Sequence, residues 1–446
     1  MIGQTEAQKL CQQVLRRCRD DAEVLLFVDD NALTRFANNA IHQNVAERNA
    51  ELLLRVVIGK RTGMATTNRL DDAALDQLVE LARTSAKAGP EDPDFPGLAE
   101  PAEYGQVEAY DEVTAGYAPQ KRALAVGAVC RLAAEKDLNA SGAFSTGVSE
   151  IALANSHGLF AYHIASQADF QTVIMAPDAS GRAQACGWRA GEIQVEALGR
   201  AAIDKAERGR APRKIEPGEY TVVFDPYVTQ DLLFNLNFHG ISAQAVLEGR
   251  SWMNERMGQK AMSDQVSIWD DGLDTHGQPM PFDFEGVPKQ RVDIVCEGVV
   301  GSPVYDRYTA QKAGLTSTGH ALPPTYRGFG PLATNLFMAP GGSSLDEMIH
   351  STGRGLYITR FWYTRLVHPR DCIVTGMTRD GVFMIENGEL AYPVKNLRFT
   401  QSYVQALNEV EAIGRETLLL GSEYGIMSTC VPPLKVSRFN FTGSTV

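Results

Sequence analysis

The segment RGRAPRKIEPGEY (208–220) splits the chain into halves of different texture. It is basic and holds both Pro and Gly, a composition that interrupts regular structure and marks a domain boundary. Beyond it, short apolar runs separated by Gly, Asn and Asp dominate: YTVVFD, RVDIVCEGVV, TNLFMAP, GLYITRFWYTRLV and PPLKVSRFNFTG. Runs of this length bounded by turn residues read as strands. Between VFMIE and ELAYPV the pair Asn387-Gly388 is the strongest hairpin signal, because a two-residue type I′ turn needs positive φ at both positions. The chain is therefore expected to be α+β. An N-terminal α/β domain (1–214) precedes a mainly antiparallel, barrel-like β domain (217–446). Two helical interludes are expected in the second half, at 228–258 and 343–353, the latter opened by the capping-box spacing of Ser344 and Glu347.

In the first half, Leu10, Cys11, Val14, Leu15 and Cys18 recur at helical spacing, giving an amphipathic helix over 4–19. EVLLFVDD (23–30) and ELLLRVVIGKR (51–61) read as strands, and Asn38-Asn39 between them suits a turn with left-handed backbone. A helix begins at Asp71-Asp72, and another spans 119–136. Four prolines within 87–104 exclude helix or central strand there and predict an extended surface connection. A weak echo runs through this half: Ala37-Asn38 recurs as Ala154-Asn155 at an offset of 117, and Gly63-Met64-Ala65 as Gly181-Arg182-Ala183 at 118. Either a strand–strand–helix unit is duplicated, or two such units merely look alike.

With 42 basic and 54 acidic residues the chain carries a net charge of -12, which argues against a general nucleic-acid binder. No apolar stretch approaches the roughly 18 residues of a membrane span, and the polar start lacks a secretory h-region. Seven scattered cysteines without a CxxC pair suggest a reducing, cytoplasmic setting rather than a disulfide framework. Eight histidines form no HExxH, HxH or His/Cys pair at ligand spacing, and no GxSxG elbow or Walker loop occurs. The residues alone reach no intact catalytic set.

TRFANNAIHQN, EPGEYTVVFDP, APGGSSLDEMI, RGLYITRF and IENGELAYPVKNLRFTQS nevertheless stand in one order and proportion from about residue 20 to 443. In this the chain resembles the TldD/PmbA proteins, microcin-processing metalloproteases also called modulators of DNA gyrase. The resemblance implies a two-subunit system. Its TldD-type subunit holds zinc with HExxxH on a helix and a C-terminal cysteine, and its PmbA-type (TldE) subunit lacks that motif. Set against HExxxH, LLFNLNFHG (232–240) places Phe234 at the first histidine, Asn235 at the glutamate and His239 at the second histidine, while Cys430 falls near the cysteine ligand. Phenylalanine offers no lone pair, and an asparagine amide cannot act as general base toward a metal-bound water.

The resemblance therefore implies a non-catalytic PmbA/TldE-like subunit with no catalytic residue and no cofactor of its own, zinc being expected in the partner. His239 and Cys430 would be vestigial. The implied partners are a TldD-type subunit in a heterodimer, or a second copy when the chain is alone, together with extended peptides but neither nucleic acid nor membrane. Two alternatives stand beside it: an active metallopeptidase built on His239, Cys430 and a third donor such as His320, and a protein–protein modulator of gyrase. The aromatic run RFWYTR (360–365) and Trp252 suit an interface or a core equally.

Overall fold

The computed structural model describes residues 1–422 and 427–444. The first half is built on a six-stranded antiparallel sheet: β1 (Asp21–Ala37), β2 (Ala40–Ile58), β3 (Arg61–Thr67), β4 (Asn139–Asn155), β5 (Phe160–Met175) and β6 (Ser180–Gly187), in the spatial order β3-β2-β1-β4-β5-β6. Helices Asp72–Ala88 and Val195–Arg208 follow β3 and β6, so the same strand–strand–strand–helix order occurs on each side of the β1–β4 seam. The sequence echo has a packing cause. A Cβ on Gly63 would lie 2.4 Å from the Ala82 carbonyl oxygen, and one on Gly181 would lie 2.0 Å from that of Ala202. In both units a glycine lets the helix backbone rest on the edge strand.

The strands read at 23–30 and 51–61 are the inner parts of one long hairpin. Asn38 and Asn39, with φ of 52° and 60°, form its two-residue turn. In its outer half β2 is exposed at every residue from Ala40 to Asn49 and carries no apolar alternation, which is why the sequence marks only the turn there.

The two faces of this sheet have different partners. Even-numbered residues in the inner stretches of β1 and β2, among them Val24, Leu26, Leu52 and Leu54, pack under helices. Leu25 and Leu53 face the other way, onto Phe282 of the second half and Ala99 of the proline-rich connection. Beyond Ala88, where the preceding helix ends, that connection has neither helix nor strand, as its prolines dictate, but it is pinned rather than draped: Asn155 Nδ2 donates to the Ala99 carbonyl at 2.7 Å and Arg307 to that of Gly97 at 2.6 Å.

Between these layers lies a buried charge cluster. Glu23 and Arg55 are cross-strand partners joined at 2.6 Å, Arg55 approaches Glu285 at 4.0 Å, and Arg327 binds the same Glu285 carboxylate. Burial pushes the Glu285 carboxyl up, but Arg327, Arg55 and Arg307 pull it below its ordinary value.

Among the described residues the second half holds a six-stranded and a nine-stranded sheet, and neither closes on itself. The expected barrel is thus corrected to open sheets, since hairpin signals specify neighbouring pairs and not closure. Pairing is mostly antiparallel, but Gly218–Phe224 runs parallel to Arg354–Ile358. Asn387 (φ 53°) and Gly388 (φ 81°) make the expected hairpin turn, and Ser344 and Glu347 form a complete capping box on helix Leu345–His350. The interlude read at 228–258 is shorter: helix Pro226–Leu236, a π-helical turn Asn237–Ile241, and helix Ala243–Leu247. Trp252 is wholly buried and donates to the Leu236 carbonyl at 2.9 Å, so it belongs to the core. No helix among the described residues is long and apolar enough to cross a membrane.

Removing one member of the buried cluster leaves an uncompensated charge. Arg55→Ala is expected to cost roughly 3–5 kcal/mol in chemical denaturation. Arg61→Ala, which breaks an exposed pair with Glu91, should change stability by less than about 1 kcal/mol. Equal effects would show that the cluster does not hold the two halves together.

Candidate functional site

The helix, its π turn and two neighbouring elements enclose a cavity of about 610 Å³. Arg182 and Gln184 of β6 line one side, Tyr227 to His239 another, and strand Phe361–His368 the third, with Gly421 and Ser422 closing it. It therefore lies where the two halves meet.

The π turn explains how Phe234 and His239 share this wall. Five residues apart on an α-helix they would diverge by roughly 140°. A turn with i→i+5 bonding is wider and brings both to one side. Phe234 stacks on Phe238, with centroids 5.8 Å apart and planes 9° from parallel, and the His239 ring meets Phe238 edge-on at 5.2 Å. Burial, with the Arg250 charge adding to it, pulls the His239 imidazole down to about 4, so it is neutral at physiological pH.

Asn235 turns its amide back along the helix and donates to the Asp231 carbonyl at 2.9 Å. The Asp231 carboxylate in turn accepts from Tyr403 at 2.6 Å and Thr364 at 2.9 Å, which ties the helix to the strand opposite.

The other sequence candidates lie elsewhere. Cys430 is buried in strand Ser428–Val431, outside the cavity lining, and burial raises its thiol pKa. His320 is wholly buried, with Nε2 2.9 Å from Asp270 and Nδ1 2.9 Å from Thr318, so both ring nitrogens are engaged. Among the described residues no three His, Cys, Asp or Glu side chains are grouped to hold a metal ion. The donor set does not fit zinc. Phe234 has no donor atom, Asn235 points into its own helix, and the Cys430 thiol is protonated away from the cavity.

Sequence reasoning missed the wall formed by RFWYTR. The Arg360 and Arg379 guanidiniums lie over the Trp362 ring at 4.7 and 5.0 Å, and Arg365 stacks on Tyr363 at 4.3 Å. Tyr363 is 66% exposed with φ of 56°, a strained conformation for an aromatic residue, at a bulge in the pairing with the next strand. Its composition was visible, but not its face.

Three family models match: PmbA/TldA metallopeptidase domain 1 over residues 22–86, the central domain over 68–210 and the C-terminal domain over 217–443. The chain belongs to the PmbA/TldD family. Its fold is similar to that of TldE from Thermococcus kodakarensis, with a TM-score of 0.88 and 19% identity over 98% of this chain and 99% of that one. Among curated relatives it is 28% identical to a Methanothermobacter thermautotrophicus metalloprotease over 50% of this chain and 48% of the relative. It is 24% identical to metalloprotease PmbA of Escherichia coli O157:H7 over 66% and 64%. The matches thus span about half to two thirds of these curated relatives.

The packing of the family motif is open to direct measurement. By NMR, the His239 ring should titrate near 4, and a midpoint near the ordinary value of about 6.5 would mean a hydrated, unpacked ring. In the same folded protein iodoacetamide should modify exposed Cys296 while leaving Cys430 unlabelled until denaturant is added.

Proposed function

We propose that this chain is a non-catalytic, TldE-like subunit of a cytoplasmic peptidase, binding extended peptides beside a zinc-bearing TldD-type subunit that performs the cleavage. The observation that carries the reading is the wall of the cavity at 234–239, where a stacked phenylalanine and an inward-turned amide stand at the positions the family resemblance gives to a ligand and a general base. The cavity suits binding better than hydrolysis. Its aromatic and guanidinium surfaces offer stacking and hydrogen bonding.

Peptide capture has a structural candidate as well. Strand Phe361–His368 ends the nine-stranded sheet, and residues 361–366 line the cavity. An outer edge of this kind can add an extended chain through main-chain hydrogen bonds, with little dependence on sequence.

The test compares metal content and cleavage of an unstructured fluorogenic peptide for the chain alone, for a TldD-type subunit alone, and for the mixture. The isolated chain should carry no stoichiometric zinc and cleave nothing, while the mixture should exceed the TldD-type subunit by tenfold or more. In that mixture Trp362→Ala should raise KM about tenfold with kcat little changed, the loss of one aromatic contact. Chelator-sensitive cleavage by the isolated chain would overturn the reading in favour of a non-standard active site.

A further inference from the structure

The bulge in strand Phe361–His368 decides which side chains share a face. Between Trp362 and Arg365 this strand advances three residues while its partner advances two, from Met377 to Thr375. Met377 and Thr375 lie on one face, so the extra residue puts Trp362 and Arg365 together, where regular alternation would set them on opposite faces. Both line the cavity. The Arg365 guanidinium is held in two ways: Nη1 donates to the Thr364 carbonyl at 2.8 Å, and Cζ lies 4.3 Å from the centre of the Tyr363 ring. Tyr363 takes its left-handed backbone, φ 56°, within the bulge itself.

What Arg365 lacks is an acid. Arg360 and Arg379 face the Asp380 carboxylate, and Arg256 faces that of Asp371. Among the described residues no carboxylate faces Arg365, and nothing accepts from its Nε–Nη2 edge, the side whose two parallel donors match a carboxylate. Asp231, an acid of the cavity wall, is taken up by Tyr403 and Thr364. The chain has a net charge of -12, yet the described lining gathers Arg182, Arg360 and Arg365 against Asp231. We propose that Arg365 binds a carboxylate of the peptide, so that the cavity selects chains carrying an acidic side chain or a free C-terminus. This rests on the peptide-binding reading and adds the chemistry of the substrate to it. A planar fork already fixed by stacking and one hydrogen bond loses little freedom when it pairs, and a bidentate carboxylate pair is both strong and directional. On a peptide added at the outer edge of this strand, an acid directly across from Arg365 makes a favourable cross-strand pair.

Calorimetric titration of the full chain tests this with three short peptides sharing one neutral, unstructured, N-acetylated sequence. The first is amidated, the second has a free C-terminus, and the third is amidated with a glutamate at its centre. At low salt at least one carboxylate-bearing peptide should bind about tenfold more tightly than the first, and which one does so identifies the source of the carboxylate. The preference should shrink as salt rises from about 0.05 to about 0.5 M, as for any partly exposed ion pair. Arg365→Ala should bring it close to unity, and Arg365→Lys, which keeps the charge without the fork, should retain only part of it. Because the preference is a ratio within one variant, a general loss of affinity does not mimic the effect. Equal binding of all three peptides by the wild-type chain would overturn the proposal and leave the peptide-binding reading standing, as would a preference that survives Arg365→Ala. Binding of none of the three would overturn both.

Discussion

The contact between Glu23, Arg55, Glu285 and Arg327 fixes how the two halves of the molecule meet. Taking four charges out of water is costly, and their mutual attraction offsets the cost only when the geometry is held. That geometry comes from both halves at once. β1 and β2 supply Glu23 and Arg55 from a face that otherwise packs Leu25 and Leu53, and the segment after Phe282 supplies Glu285. Glu23 Oε2 and two Arg55 nitrogens still lack hydrogen-bond partners, so the cluster specifies an arrangement more than it adds stability. A slip of one residue along β1 or β2 would send Glu23 or Arg55 to the helix-covered face, where nothing could neutralise it.

The cavity inherits its shape from that junction. β6 brings Arg182 and Gln184 from the first half, while the helix and strand Phe361–His368 come from the second. Two further contacts keep these walls in register. Tyr227 exchanges hydrogen bonds with the Gln184 backbone at 2.8 and 3.0 Å, and Asp231 is held by Thr364 and Tyr403. A shift of one half against the other would therefore reach the cavity through buried polar contacts before it reached any apolar core.

Much of the fold was legible because its signals are local. Asn38-Asn39 and Asn387-Gly388 dictate turns by their own backbone preference, Ser344 and Glu347 cap a helix, and the echo at Gly63 and Gly181 reports helix–strand contact. Closure of the second half was misread, since no residue in a hairpin encodes whether the outermost strands find each other. Of the site, Phe234, Asn235 and His239 were legible through family resemblance, and the structure sets Phe234 and His239 on one wall. Cys430 was a candidate through the same resemblance and His320 by residue type alone, and a long-range partner, Asp270, decides the fate of His320. The aromatic wall stayed hidden because strand alternation shows which residues share a face, not what that face meets.

The π turn remains well formed although its neighbours lack metal-binding chemistry, and its own hydrogen bonds account for this. Asn237 donates to the Ala333 carbonyl at 2.8 Å, Ser251 to Gly240 at 2.5 Å, and Trp252 to Leu236 at 2.9 Å. A Cβ on Gly240 would lie 2.0 Å from the Trp252 ring, so the turn and the indole fit only with glycine there. None of these contacts involves the side chains of Phe234, Asn235 or His239. Widening the helix and choosing what projects from it are thus separate physical problems in this fold: buried donors and one tryptophan solve the first, and the second is left open. Aromatic rings can occupy the projecting positions without disturbing the contacts that hold the backbone of the turn.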